Sequence, residues 1–124
     1  MFKTVTVSIG RGIPGGGEMT TREWRRFKAE VRAVLGWVAL REGSSASDRG
    51  LRRGEIYVDA AKTFGEWEGQ REESATWVAS IWAGEAETLE GSLRSICADF
   101  GQDAIALTVG DTTLVKGEIG RAHV

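Results

Sequence analysis

Val5, Val7 and Ile9 alternate with Thr4, Thr6 and Ser8 at the start of the chain, the two-residue period of a strand with one buried face. Gly10-Arg11-Gly12-Ile13-Pro14-Gly15-Gly16-Gly17 then interrupts any regular element. Thr20 followed by Glu23 forms a capping box, and Trp24, Phe27, Val31, Val34 and Leu35 recur at helical spacing, with Gly36 as the expected stop. From Glu42 to Gly54 the composition turns to Gly, Ser, Asp and Arg, which predicts a mobile surface loop. Strand character returns over Glu55–Ala60 and Ser74–Trp82, and these two segments are expected to pair. Leu89, Leu93, Ile96 and Phe100 share one helix face, and Gly101 is placed to end that helix. Residues 104–109 read as a further strand, along which Thr112-Thr113-Leu114-Val115 can fold back as a hairpin. No internal repeat is visible.

The order strand, helix, strand, strand, helix, strand predicts an α+β fold, a ferredoxin-like α/β sandwich (βαββαβ) with an antiparallel sheet and two helices on one face. The 124 residues suit a single domain, 1–124, with one core, carrying a flexible loop near 42–54 and a C-terminal tail near 116–124. Of the five tryptophans, Trp67, Trp77 and Trp82 fall in the later strand region, more apolar area than a one-sided sheet needs. A homo-oligomer built sheet to sheet follows.

Composition narrows the function more by exclusion than by assertion. The longest apolar run, around Val31 to Leu40, is broken by Arg32 and Gly36, so no membrane span is expected. The N-terminus shows no charged leader followed by an apolar stretch, so no export is implied. One cysteine, Cys97, and one histidine, His123, make neither an internal disulfide nor a metal-ligand cluster. Cys97 lies beside the apolar stripe of the second helix and fits core packing better than a nucleophile. The basic groups Arg22, Arg25, Arg26 and Lys28, then Arg49, Arg52 and Arg53, are matched by Glu23, Glu30, Asp48 and Glu55, and the formal net charge is -2. A nucleic-acid partner is therefore not expected.

Two segments carry candidate chemistry. Gly10 to Gly15 formally matches G-x-G-x-x-G after a strand, the pattern whose amides cradle a pyrophosphate. Pro14 removes one amide and the helix starts several residues late, so a flexible connection is the better reading. The second segment runs from Tyr57 through Phe64-Gly65-Glu66-Trp67-Glu68-Gly69 to Glu73-Ser74. There Glu68 stands beside a bulky ring and between glycines, either exposed at a turn or held for a charged partner. Tyr57 and Glu68 are an odd number of residues apart, so one ideal strand would put them on opposite faces. Either a bulge or turn near Gly65 intervenes, or each serves a different copy of a site spanning two subunits. Taken alone, Tyr57 also fits an amphipathic strand residue and Glu68 a turn residue.

Val58-Asp59 through Gly65-Glu66-Trp67-Glu68, then Glu72-Glu73 opening a strand, then Ile96-Cys97-Ala98-Asp99-Phe100-Gly101-Gln102-Asp103 leading into an apolar strand, together resemble the phage-encoded S-adenosylmethionine lyases, formerly called hydrolases. The likeness runs from Tyr57 to Val109; the first fifty residues match in element order only. It implies a homotrimer with sites between subunits, in which S-adenosylmethionine is cleaved to 5′-methylthioadenosine and homoserine lactone. It places the essential carboxylate on Glu68, the active-site tyrosine on Tyr57 and a Gln-Asp pair on Gln102 and Asp103; Ser8 joins these two as a substrate-binding candidate. No cofactor or metal is called for, since S-adenosylmethionine is itself the substrate, and a host bacterial cytosol is the implied location. The alternatives are a hydrolase that releases homoserine with Glu68 as general base, and a non-enzymatic module binding a small molecule or a host protein.

Overall fold

The computed structural model describes residues 1–40, 54–67 and 69–111. Strand β1 (Phe2–Gly10), helix α1 (Thr21–Leu40), strands β2 (Ile56–Trp67) and β3 (Gln70–Trp82), a short 3-10 turn (Ala83–Glu85), helix α2 (Ala86–Asp99) and strand β4 (Ala106–Gly110) follow in order. The strands form one sheet in the order β2-β3-β1-β4. Each neighbouring pair is antiparallel. This is the expected ferredoxin-like α+β sandwich. The hairpin position at Thr112–Val115, the tail near 116–124 and most of the loop near 42–54 lie outside the described residues.

Alternation in β1 puts Val5, Val7 and Ile9 in the core, where Ala75, Trp77, Ala79 and Ile81 of β3 join them. Helix α1 contributes Trp24, Phe27, Val31 and Leu35, and α2 contributes Leu89, Leu93 and Ile96. Both helices therefore pack on one sheet face. The capping box forms as expected: Glu23 N–H donates to Thr20 Oγ1 at 3.2 Å, and Thr20 N–H donates to Glu23 Oε1 at 3.0 Å.

Several details depart from the sequence reading. Gly36 does not stop α1, because Val38 and Ala39, both buried, reward another turn with more than the ~1 kcal/mol that a helical glycine costs. Gly54 belongs to no loose loop. It is buried, and a Cβ there would stand 1.9 Å from Ser80 O and 2.7 Å from Ala39 O. Trp77 is fully buried on the helix side, and Trp82 stacks on Phe2 at 4.2 Å between ring centroids. By strand alternation Trp82 and Phe2 point to the face opposite the helices, and across β1, β2 and β3 that face also presents the hydroxyls of Ser8, Thr63 and Thr76. The irregularities of β2 fall between Ile56 and Ala61 instead of near Gly65, which pairs regularly with Glu72. At the second of them Ala60 takes φ 54. Asp59 there accepts from Trp77 Nε1 at 3.0 Å and from Arg32 Nε at 2.9 Å.

Candidate functional site

Where β1 ends and β3 begins, the chain from Gly10 to Glu18 folds back on itself. Gly12 and Glu18 form an antiparallel bridge, and Met19 N–H donates to Arg11 O at 2.9 Å. The tip is a β-turn, closed by Gly16 N–H on Ile13 O at 3.0 Å, with Pro14 and Gly15 (φ 94) in its centre. Proline followed by a residue of positive φ is the requirement of a type II turn, which explains this pair of residues at the tip. Ile13 N–H closes the base on Gly17 O at 2.9 Å. The glycine segment is thus a small ordered flap, in place of the flexible connection expected.

Beneath the flap lies a cavity of about 360 Å³, walled by residues 10–18, by Gln70 to Glu73 at the start of β3, and by Gln102, Asp103 and Ala104 ahead of β4. This volume lies within the range of small-molecule sites. Its third wall is set by how α2 ends. Gln102 N–H donates to Cys97 O at 2.9 Å and Gly101 N–H to Ala98 O at 3.1 Å, with Gly101 at φ 63. That is the Schellman pattern, which stops the helix and turns the chain toward the flap. Gln102 therefore both caps α2 and lines the cavity.

Two glutamates fasten the flap to β3. Glu73 accepts from Trp24 Nε1 at 3.0 Å and from Arg11 Nη1 at 3.3 Å. Burial opposes ionisation of Glu73, but the Trp24 hydrogen bond, the charge of Lys62 and the Arg11 contact outweigh it, so its carboxyl sits below the ordinary range. Glu72 Oε2 accepts from Gly12 N–H at 2.9 Å. Its carboxylate fills the space that side chains at 10 and 12 would take: a Cβ on Gly10 would lie 1.9 Å from Glu72 Oε1, and one on Gly12 2.2 Å from Oε2. The two glycines are what allow this approach. Four lining residues are acidic (Glu18, Glu72, Glu73, Asp103) and two are basic (Arg11, Arg71). Arg11 is committed to Glu73, to Glu18 at 3.2 Å and to Met19 O at 2.8 Å. The cavity therefore favours a neutral or cationic ligand.

The residues singled out in the sequence are only partly gathered. Gln102 and Asp103 line the cavity together. Ser8 does not; its hydroxyl shares a hydrogen bond with Thr76 Oγ1 at 3.0 Å, and Thr76 continues the row to Thr63 at 3.2 Å. Tyr57 is 57% exposed on the edge strand β2, level with Val78 and Ala79. That is roughly 15–20 Å along β3 from the glutamates, at about 3.3 Å per residue. Glu68 lies outside the described residues. Cys97 is half-buried, donates to Gln102 O at 3.2 Å, and has its thiol pKa raised by burial and by Asp103. The seat of Glu72 went unnoticed in the sequence; the available signal was a G-x-G at the end of one strand and a Glu-Glu pair at the start of another.

No family model and no curated protein matches the chain. Among solved structures, a DUF3240 family protein from Shewanella baltica OS155 is similar, with TM-score 0.54 and 10% identity over 93% of this chain and 94% of that one. A divalent cation tolerance protein (CutA1) from Thermus thermophilus reaches TM-score 0.42 at 12% identity over 99% and 93% of the two chains. A phage SAM lyase in its apo state reaches 0.43 at 12% identity over 86% and 78%. At this identity the likeness concerns the fold alone. Among the described residues no helix is long and apolar enough to cross a membrane.

Proposed function

We propose that the chain is an S-adenosylmethionine lyase. The observation that carries this reading is the acidic cavity under the flap, which Gln102 and Asp103, the Gln-Asp pair of the family resemblance, both line. S-adenosylmethionine bears a sulfonium and an ammonium, and an acidic wall concentrates such a ligand.

The reaction needs little equipment. One oxygen of the substrate's own carboxylate attacks the γ-carbon, the carbon–sulfur bond breaks, and its electron pair neutralises the sulfonium. The products are 5′-methylthioadenosine and homoserine lactone, with no proton transferred. Holding the methionyl chain folded for attack and keeping water out supplies the acceleration, about 7 kcal/mol or more in favourable intramolecular cases. A carboxylate touching sulfur would stabilise the ground state more than the transition state. Glu68 is therefore assigned to the α-ammonium, whose charge persists throughout, and Tyr57 to a hydrogen bond and wall at the site. Since Tyr57 stands far from the cavity of its own chain, this reading requires self-association, with Tyr57 of one copy completing the cavity of another; the family resemblance makes the assembly a trimer.

A second reading is favoured by that same separation of Tyr57. A non-enzymatic binder of a cationic small molecule needs the cavity and neither Tyr57 nor Glu68. Incubating purified protein with S-adenosylmethionine separates the two: many equivalents of 5′-methylthioadenosine per chain support the lyase, whereas retention of intact ligand at one equivalent or less supports the binder.

A further inference from the structure

The flap raises the question of what a G-x-G at the end of a strand does when it holds no phosphate. In a phosphate loop the backbone amides stay free to face the anion. Here Arg11 N–H donates to Glu73 O, Ile13 N–H to Gly17 O and Gly16 N–H to Ile13 O. Gly12 N–H is taken by the carboxylate of Glu72. Pro14 has no amide hydrogen to offer. The volume left by the missing side chains of Gly10 and Gly12 is filled by that same carboxylate. Glu72 thus occupies, with a fixed negative charge, the place an incoming phosphate would use. The two guanidiniums at the cavity offset the acidic lining only in part: Arg11 is held by Glu73 and Glu18, and Arg71, which keeps its charge over the ring of Phe64 at 4.3 Å, stands against four acidic lining residues.

We propose that Glu72, seated by Gly10 and Gly12, is a specificity-determining residue that turns phosphate-bearing nucleotides away from the cavity. The cavity then accepts an adenosyl group whose 5′ substituent is neutral or cationic; the phosphorus of AMP stands one bond farther from C5′ than the sulfonium sulfur does, so the carboxylate is assigned to meet a phosphate without touching sulfur. This rests on the lyase reading for the adenosyl part of the ligand and goes beyond it in assigning selection against the adenine nucleotides that share that part. An enzyme acting on an adenosyl sulfonium meets adenine nucleotides as competitors of nearly the same shape, so a charge test discriminates where shape cannot.

Calorimetric titration of the full chain with 5′-methylthioadenosine and with AMP, at matched pH and salt, tests it. Wild type is expected to bind 5′-methylthioadenosine at least about tenfold more tightly than AMP. Glu72→Gln keeps an oxygen for the Gly12 amide and loses the charge; it is expected to strengthen AMP binding at least about tenfold, close to 1.4 kcal/mol, with 5′-methylthioadenosine changed less than threefold. A measurement on wild type alone covers a variant that misfolds: added salt screens the repulsion and must tighten AMP binding. Equal binding of the two ligands by wild type, an unchanged AMP affinity in a folded Glu72→Gln, AMP binding that weakens with salt, or binding of neither ligand each overturns the proposal. Turnover of S-adenosylmethionine is measured alongside. Its absence with the Glu72 effect intact removes the lyase and leaves the selectivity; its presence without the effect does the reverse.

Discussion

Replacing Glu73 with alanine removes the group on which the flap, α1 and β3 converge. Trp24 is 3% exposed, and its Nε1–H would lose its carboxylate acceptor at 3.0 Å. A buried donor left unpaired costs about 1–3 kcal/mol. The Arg11 contact at 3.3 Å joins side chains that are 19% and 24% exposed, so it adds up to about 1 kcal/mol. Together these give a loss of about 2–3 kcal/mol, or a fall in Tm of roughly 8–12 °C for a domain of this size. Thermal unfolding followed by circular dichroism measures it, and a cycle with Trp24→Phe isolates the pair at about 1–2 kcal/mol of coupling. The effect has a definite pH dependence. The carboxyl is held below its ordinary value of 4.5 in the fold, so the contribution of its charge is complete above that value and disappears as pH falls through the lower folded one. The gap between wild type and Glu73→Ala must therefore narrow in acid by its charge-dependent part, since a protonated carboxyl still accepts from Trp24. A variant within about 0.5 kcal/mol of wild type at neutral pH, on the scale of an ordinary surface change, or a gap that widens in acid, refutes the clamp.

Gly54→Ala is expected to cost about 2–3 kcal/mol, since its Cβ would meet backbone atoms of Ser80 and Ala39 that cannot move aside; chemical denaturation measures this. Gly12→Ala would meet only the end of the Glu72 side chain, so the same measurement should show a loss of about 1 kcal/mol or less, the carboxylate being displaced instead of the fold. Gly101→Ala forces a left-handed φ of 63 on a residue with a Cβ, at about 1–2 kcal/mol, and should loosen the Gln102–Ala104 wall, seen as faster amide exchange of Gln102. Under the proposed function, Glu68→Gln raises KM and, because the substrate carboxylate is no longer held toward the γ-carbon, lowers turnover at saturating substrate; full turnover in that variant removes the assigned role of Glu68.

What can be read from the sequence follows from short-range rules. Alternation around Val5 to Ile9, the Thr20–Glu23 box and the glycine after Phe100 each specify an element through neighbours a few residues away, and each is present. The departures depend on partners distant in the chain. Gly36 is outweighed by packing of Val38 and Ala39 on a sheet the helix itself does not encode. The face of β3 that Trp77 takes is set by its register with β1, where it stands opposite Val7. The candidate site divides along the same line. Gln102 and Asp103 reach the cavity through a local helix stop, whereas the seat of Glu72 needs residues 10 and 72 side by side in space, which only the β1–β3 register supplies.

The most direct test of the whole account is to add S-adenosylmethionine to a catalytic amount of purified protein in oxygen-labelled water and to analyse the products before any lactone opens. Cyclisation within the substrate yields 5′-methylthioadenosine and unlabelled homoserine lactone over many turnovers. Labelled homoserine formed with no lactone on the path, or no 5′-methylthioadenosine at all, contradicts it.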